Sequence, residues 1–274
     1  MSTIVRDAVK SDYDFLCAAF AQVNRDHCRM EPGLYREVDE IAPRWQFNAL
    51  ALGREVPGLR SYVGKNYCIK VAERKGHPVG AIFAWPETKK FPGSRARVTE
   101  AYLDNIVVWP GHRRGGVGTA LLDAAKGWAE NAGHTSLYTK IVNKNKVSLA
   151  FYKAAGFSSR SINFGGYNKV FDPHHVMGFE GSTVFEPNEA IAVVSKKRSS
   201  LSWSNFEREA HVLFRPGSGA KMNPSLLKQA QNWATSVGLE HMVVEVPVDD
   251  SESIALFEEE RFTADSTNME IRLG

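Results

Sequence analysis

The sequence predicts a mixed α/β (α+β) fold: one sheet flanked by helices, followed by a partial second copy of the same unit. Three observations predict it. Period-two runs between residues 66 and 109 give way to a strand–loop–helix–strand–helix order. A loop rich in glycine and arginine stands between a strand and a helix at 111–118. Residues 119–157 reappear, without a gap, as 224–262.

The elements follow in order. The stretch Ile4–Leu52 reads as mainly helical. Asp12 can cap a helix through DYDFLCAAFAQVNRDH, where Phe15, Leu16, Ala19, Phe20 and Val23 recur at helical spacing. NYCIKVAERKG and HPVGAIFAWPE alternate as two strands around a Lys75–Gly76 turn. RVTEAYLDNIVVW at 97–109 is a third strand. A helix runs from Thr119 to Asn131, with Gly133 just past its end. SLYTKIV is a strand, and VSLAFYKAAG a short helix ending at Gly156. Residues 161–200 are rich in Gly, Asn, His and Pro, and supply the last strand of the first domain and a connection. The run Lys196–Arg198 reads as a solvated face. The expected domains are 1–170, a connecting segment 171–200, and a degenerate half-domain 201–274.

The repeat is the strongest organisational signal. At an offset of 105, nine of the positions in 119–157 are identical to 224–262, among them Leu121/Leu226, Leu122/Leu227, Trp128/Trp233, Gly133/Gly238 and Phe157/Phe262. Composition alone would give about two or three. The shared residues are an apolar helix face and turn residues, so the alternative is two amphipathic units matched by periodicity alone.

Composition narrows the function. With 274 residues, 43% hydrophobic and 24% charged, the chain can bury a real core and is neither a disordered tail nor a coiled coil. A net charge of +3, without interleaved aromatic and basic residues, does not suggest a nucleic-acid binder. Cys17, Cys28 and Cys68 lie far apart, with no CxxC, so neither a disulfide framework nor a metal site is expected. The charged start MSTIVRDAVKSDYDF is no signal peptide, and no apolar run approaches the ~18 residues of a membrane span. A soluble cytoplasmic protein is the expectation.

The segment NIVVWPGHRRGGVGTALL carries the chemistry. Gly115, Gly116 and Gly118 let successive backbone N–H groups point inward at an anion. The helix N-terminus adds its dipole, and Arg113 and Arg114 can neutralise phosphate charge. This suits a pyrophosphate, although a plain structural turn has the same composition. Neither Gly-Lys-Ser/Thr nor G-x-G-x-x-G is present.

Arg113-x-x-Gly116-x-Gly118 resembles the R/Q-x-x-G-x-G/A signature of the GCN5-related N-acetyltransferase (GNAT) superfamily. Asn145 leading into SLAFYKAAGF resembles that family's N-x-x-A-x-x-x-Y-x-x-x-G-F ending, with Ser148 where Ala is usual. The resemblance spans about residues 4–170. It implies that backbone N–H groups of Arg114, Gly115, Gly116, Val117, Gly118 and Thr119 cradle the pyrophosphate of acetyl-CoA. It implies that Ile106, Val107 and Val108 splay from their neighbour to pair with the pantetheine arm. An N–H near Val108 would stabilise the oxyanion. Asn145 would bond the cofactor, and Tyr152 would protonate the departing thiolate. A tyrosine on a short amphipathic helix is otherwise core.

The attacking amine must lose a proton. Asp104 and Glu100 lie four apart on one strand and share a face by alternation, so either carboxylate could take it, or both are surface charge. Acidic residues at the similar place in family relatives favour Asp104. His27 and Glu31 share a helix face, and either contact the acceptor or bond to each other. Glu37, Asp39 and Glu40 could attract a cation or form a solvated face.

The second copy has lost these groups. The same offset turns Arg113, Gly116 and Gly118 into Ser218, Lys221 and Asn223, Asn145 into Asp250, Tyr152 into Phe257 and Gly156 into Arg261. The C-terminal segment is therefore expected to be structural: it extends the sheet, covers the cleft or forms a homodimer interface. The resulting expectation is an acetyl-CoA-dependent N-acetyltransferase acting on a primary amine of a small molecule, without metal, nucleic acid or membrane. Transfer to a protein or peptide, and a non-catalytic acyl-CoA-binding or scaffold module, are the alternatives.

Overall fold

The computed structural model describes residues 2–37, 67–90, 97–167, 182–185, 191–197, 208–214, 220–239 and 241–273. The N-terminal half runs β1 (Ile4–Asp7), α1 (Tyr13–Met30), β2 (Cys68–Arg74), β3 (His77–Lys90), β4 (Arg97–Val108), α2 (Val117–Asn131), β5 (Ser136–Val142), α3 (Lys146–Ala154) and β6 (Ser158–Tyr167). The C-terminal half runs β7 (Ser182–Phe185), β8 (Ile191–Lys197), β9 (Arg208–Phe214), α4 (Pro224–Ser236), β10 (His241–Pro247), α5 (Ser251–Glu259) and β11 (Thr263–Arg272).

The described strands form one sheet in the order β1-β2-β3-β4-β5-β11-β6-β10-β9-β8-β7. The last strand of the chain thus lies between β5 and β6. It pairs antiparallel with both, Thr267 facing Ile141 on one side and Ile162 on the other.

Helix α2 covers one face of β2–β5. Leu121, Leu122 and Ala125 pack there on Ala72, Ile82, Ala84, Ala101 and Leu103, and Met269 from β11 completes this core. Helix α1 covers the opposite face with Leu16 and Phe20 against Val71, Ala81, Phe83 and Val107. In the C-terminal half, Leu227 and Ala230 of α4 and Phe257 of α5 pack on Val212, Val244 and Phe164.

Several expectations are corrected. Residues 4–7 are a strand rather than part of a helical stretch. Arg6 on it is held by Asp12 and Glu73, which ties a four-residue edge strand down. Asp12 stands at the start of α1 but makes no cap bond to the helix. Its carboxylate instead accepts from Arg6 and from the Val9 N–H, and the Arg6 pairing holds it below the usual carboxylate range. Helix α2 begins at Val117 rather than Thr119, because Gly116 at φ +80° turns the chain directly into it. The expected connection 171–200 contributes strands β7 and β8. Asp39 and Glu40 of the N-terminal acidic cluster lie outside the described residues.

Candidate active site

The site is built where β4 and β5 part. They pair in parallel only from Ala101/Leu137 to Leu103/Thr139. Beyond that point β4 runs on to Val108 beside β3, while β5 turns toward α3. A bulge starts the divergence. Phe83 pairs Asn105 and Ala84 pairs Leu103, so Asp104 is an extra residue in the strand.

Backbone parity then aims the next residues. The Trp109 N–H donates to Val79 O at 2.9 Å. The alternate residues Val108 and Ile106 therefore turn their N–H and C=O groups away from β3, into the gap on the β5 side. Arg113 agrees, its Nε donating to Val108 O at 2.9 Å.

The glycine loop closes the gap. The first α2 N–H bonded within the helix is that of Ala120, to Gly116 O at 3.0 Å. The N–H groups of Val117, Gly118 and Thr119 point out of the helix end. A Cβ on Gly118 would lie 3.4 Å from the Phe151 ring, so α2 and α3 meet closely there. Arg113 and Arg114 are exposed, and Arg114 takes φ +60°. An anion meets here a curled backbone, a helix N-terminus and two guanidinium groups, which fits the pyrophosphate expected from the sequence.

Two residues of this loop's support were not anticipated. Arg74 of β2 donates to Gly115 O. Gly80 of β3 lies under the start of α2, where a Cβ would stand 2.9 Å from Val107 O and 3.1 Å from both Val117 and Leu121. A lone glycine inside a period-two strand was the available signal.

Tyr152 is buried on α3, its ring edge-on to Phe151 and Phe157 at 5.1 Å each. Its hydroxyl bonds that of Thr139, the last β5 residue paired to β4. Burial pushes the phenol well above its ordinary value, and the Asp104 carboxylate adds to this. Asp104 is itself raised to about 7, first by desolvation and further by Glu87, against hydrogen bonds from Asn105 and Tyr102. A phenol, a threonine hydroxyl and a carboxyl able to trade protons near neutrality thus converge on the fork.

Glu100 is differently placed. Arg160 of β6 donates to both its oxygens, at 2.6 and 3.1 Å, and also to Glu270 at 3.1 Å. His27 and Glu31, expected to touch substrate or each other, turn to different partners. His27 Nδ1 lies 2.9 Å from Val23 O, and burial lowers its pKa. Glu31 accepts from Lys144 Nζ at 2.9 Å, which bridges the end of α1 to the β5–α3 turn. Trp85, Tyr102 and Tyr138 form a row of rings across β3, β4 and β5, with centroids 5.2 and 4.9 Å apart. Asn145 caps α3 by accepting from Ser148 N at 3.1 Å.

Residues 29–157 match the family described as Acetyltransferase (GNAT) family. The match spans the glycine loop, β5 and α3, and the donor of that family is acetyl-CoA. Similar solved structures include a tetramutant of the BH1408 protein from Bacillus halodurans, at 15% identity over 57% of this chain and 93% of that one, with a TM-score of 0.45. An aminoglycoside antibiotic 6'-N-acetyltransferase from Acinetobacter haemolyticus is 18% identical over 57% and 90%, with a TM-score of 0.43. A ribosomal-protein-alanine N-acetyltransferase from Brucella melitensis is 23% identical over 58% and 88%, with a TM-score of 0.42. No curated protein matches the chain. Among the described residues, no helix is long and apolar enough to cross a membrane, and no cluster of His, Cys, Asp and Glu could hold a metal ion.

Proposed function

We propose that this protein transfers the acetyl group of acetyl-CoA directly to a primary amine of a small molecule, in the cytoplasm. The observation that carries the reading is the convergence of Asp104, Thr139 and Tyr152 on the fork beside the Gly116–Thr119 helix end. Bound acetyl-CoA supplies an activated acyl group. The loop N–H groups with Arg113 and Arg114 hold its pyrophosphate, and Ile106, Val107 and Val108 line its pantetheine arm. The Val108 N–H, aimed into the gap, donates to the carbonyl oxygen as charge develops there.

Asp104 takes the proton of the attacking ammonium, for which a pKa of about 7 is well matched. Tyr152 gives its proton to the departing thiolate, and the phenolate recovers a proton through Thr139 from the acylated nitrogen, which sheds it to become the neutral amide. Glu100, neutralised by Arg160, is left as a structural anchor. The Glu31–Lys144 pair ties the end of α1 to the β5–α3 turn, and the small-molecule acceptor is the reading that a more enclosed cleft beneath the C-terminal half would suit. His27, whose ring stands 5.1 Å from that of Tyr35, is on the same helix end as Glu31.

The C-terminal half is read as a degenerate copy without a donor site. Asp250 and Phe257 stand for Asn145 and Tyr152. The Met222 N–H, at the position of Val117, is already taken by Ser253 Oγ at 2.9 Å.

Calorimetric titration with acetyl-CoA, followed by a thiol-release assay over a panel of amines, tests the proposal. One site per chain and amine-dependent CoA release are expected. Binding without release for any amine would leave a non-catalytic acyl-CoA-binding module, and two sites would overturn the degenerate reading.

A further inference from the structure

We propose that the two halves are copies of one unit that have exchanged their last strands about a local two-fold axis, so that β11 of the C-terminal half completes and positions the acetyl-transfer site. The 105-residue offset carries β5 (Ser136–Val142) onto β10 (His241–Pro247), α3 (Lys146–Ala154) onto α5 (Ser251–Glu259) and β6 (Ser158–Tyr167) onto β11 (Thr263–Arg272), end for end. The pairing obeys the same rule. The β6–β11 ladder maps onto itself: Ser161/Asn268 becomes Asn163/Ser266, Ser158/Glu270 becomes Gly165/Thr263, and Ser159/Met269 becomes Phe164/Ala264. Ile162 pairs with Thr267, its own equivalent, so the axis passes between them. The β5–β11 ladder, Ser136/Arg272 to Val142/Ser266, maps onto the β10–β6 ladder, His241/Tyr167 to Pro247/Ser161. Even a turn bond repeats: Asn143 N to Asp265 O at 2.8 Å, Val248 N to Arg160 O at 3.2 Å.

The cores cross with the strands. Met269 packs in the N-terminal core, while its equivalent Phe164 stacks on Phe257 in the C-terminal one, with centroids 5.7 Å apart. This is the symmetry of a two-fold dimer with a swapped element, contained in one chain.

The exchange does more in the N-terminal half. Thr267 Oγ1 donates to Asn143 Oδ1 at 2.7 Å, and Asn143 Nδ2 donates to Ala264 O at 2.8 Å. With the Asn143 N–H bond, β11 grips the β5–α3 turn three times, two residues before Asn145 and on the path to Tyr152. The mirrored residue, Val248, has no side-chain donor or acceptor. Thr267 is therefore a positioning residue for the donor site.

Cross-linking in the full chain tests the exchange. Ser136→Cys with Arg272→Cys places two thiols on a β5–β11 pair. Ser136→Cys with Tyr167→Cys is the pair that an unexchanged β6 would form beside β5, by the register that β6 keeps with β10. Mass spectrometry after oxidation should find a 136–272 link within one chain and no 136–167 link. A 136–167 link, a 136–272 link between two chains, or no 136–272 link in a soluble variant overturns the proposal. The kinetic arm rests on the acetyl-transfer reading and is separate from the cross-link. Thr267→Val should lower kcat about 5-fold with the acetyl-CoA KM within 2-fold, and Thr267→Ser should restore it. A wild-type kcat in Thr267→Val removes the positioning role, whereas a wild type that releases no CoA with any amine fails the acetyl-transfer reading and leaves the cross-link result standing.

Discussion

At the end of β5 the N-terminal half places Thr139 under Tyr152, and the bulged Asp104 lies across the fork. In the C-terminal half the same offset puts Val244 under Phe257. The β9–β10 register, Met242 to Ala210, sets Leu213 where the Asp104–Asn105 bulge falls, and β8 pairs with β9 without a bulge. The second helix of each half agrees: α3 and α5 are nine residues each, and Asn145 and Asp250 each accept from the residue three along, at 3.1 Å. The first does not: α2 follows Gly116, which has no side-chain cap, whereas α4 is capped by Asn223 accepting from Leu226 N. What differs is every group that could move a proton. A sheet needs apolar alternation and capped helices to stand. It does not need a buried phenol bonded to a threonine beside a desolvated carboxyl, which cost stability unless they are used.

The largest test of this contrast removes the shared element. A chain ending at Phe262 lacks β11, and with it Met269, the three bonds to the Asn143 turn and the Glu270 partner of Arg160. Both halves are expected to lose cooperative folding, seen as the loss of a single melting transition by circular dichroism. A truncation that melts cooperatively and binds acetyl-CoA would show the halves to be independent.

Reciprocal exchange at the equivalent helix position comes next. Tyr152→Phe is expected to lower kcat by about 10³-fold, with acetyl-CoA affinity near wild type. Phe257→Tyr should leave kcat alone. It should instead destabilise by about 1–3 kcal/mol, because Val244 offers the new hydroxyl no partner. Equal turnover in Tyr152→Phe would make the tyrosine a core residue, like its counterpart.

The smallest expected effect lies in the pH profile. With its carboxyl raised to about 7, Asp104 is charged and competent only above that point, so kcat/KM should rise through pH 7. Asp104→Asn should lower turnover about 10²-fold and abolish that limb. Stability runs the other way. The folded state binds this proton more tightly than the unfolded state between the ordinary value of 3.8 and about 7, so Asp104 favours folding at low pH and this contribution is lost as pH climbs through that window. Urea midpoints of wild type and Asp104→Asn at pH 5 and 8 check the sign.

Much of this was legible in residue order. The left-handed turns at Gly116, Gly133 and Gly156 stand where glycine placed them, whereas the cap that Asn145 makes to Ser148 N was not read from the sequence, which assigned Asn145 to the cofactor. Strand β1 was hidden because four residues carry too little alternation to be seen, and its hold comes from Arg6 reaching Glu73 across the sheet. The engagement of Glu100 was hidden for a similar reason: its partner Arg160 lies sixty residues on, over the Tyr138 ring at 4.7 Å.

The sequence by itself determined the helix and strand periods, the glycine loop and the 105-residue spacing at which similar residues recur. These are local properties, set by side-chain spacing and backbone freedom. Only the tertiary structure decided which strand lies beside β5, how far Asp104 is desolvated and what holds Glu100. Alternation fixes which face of a strand is apolar but not its neighbour, because β6 and β11 present equivalent ladders and either would satisfy the backbone of β5. The pKa of a carboxyl likewise depends on what the fold packs around it, a sum over residues distant in the chain.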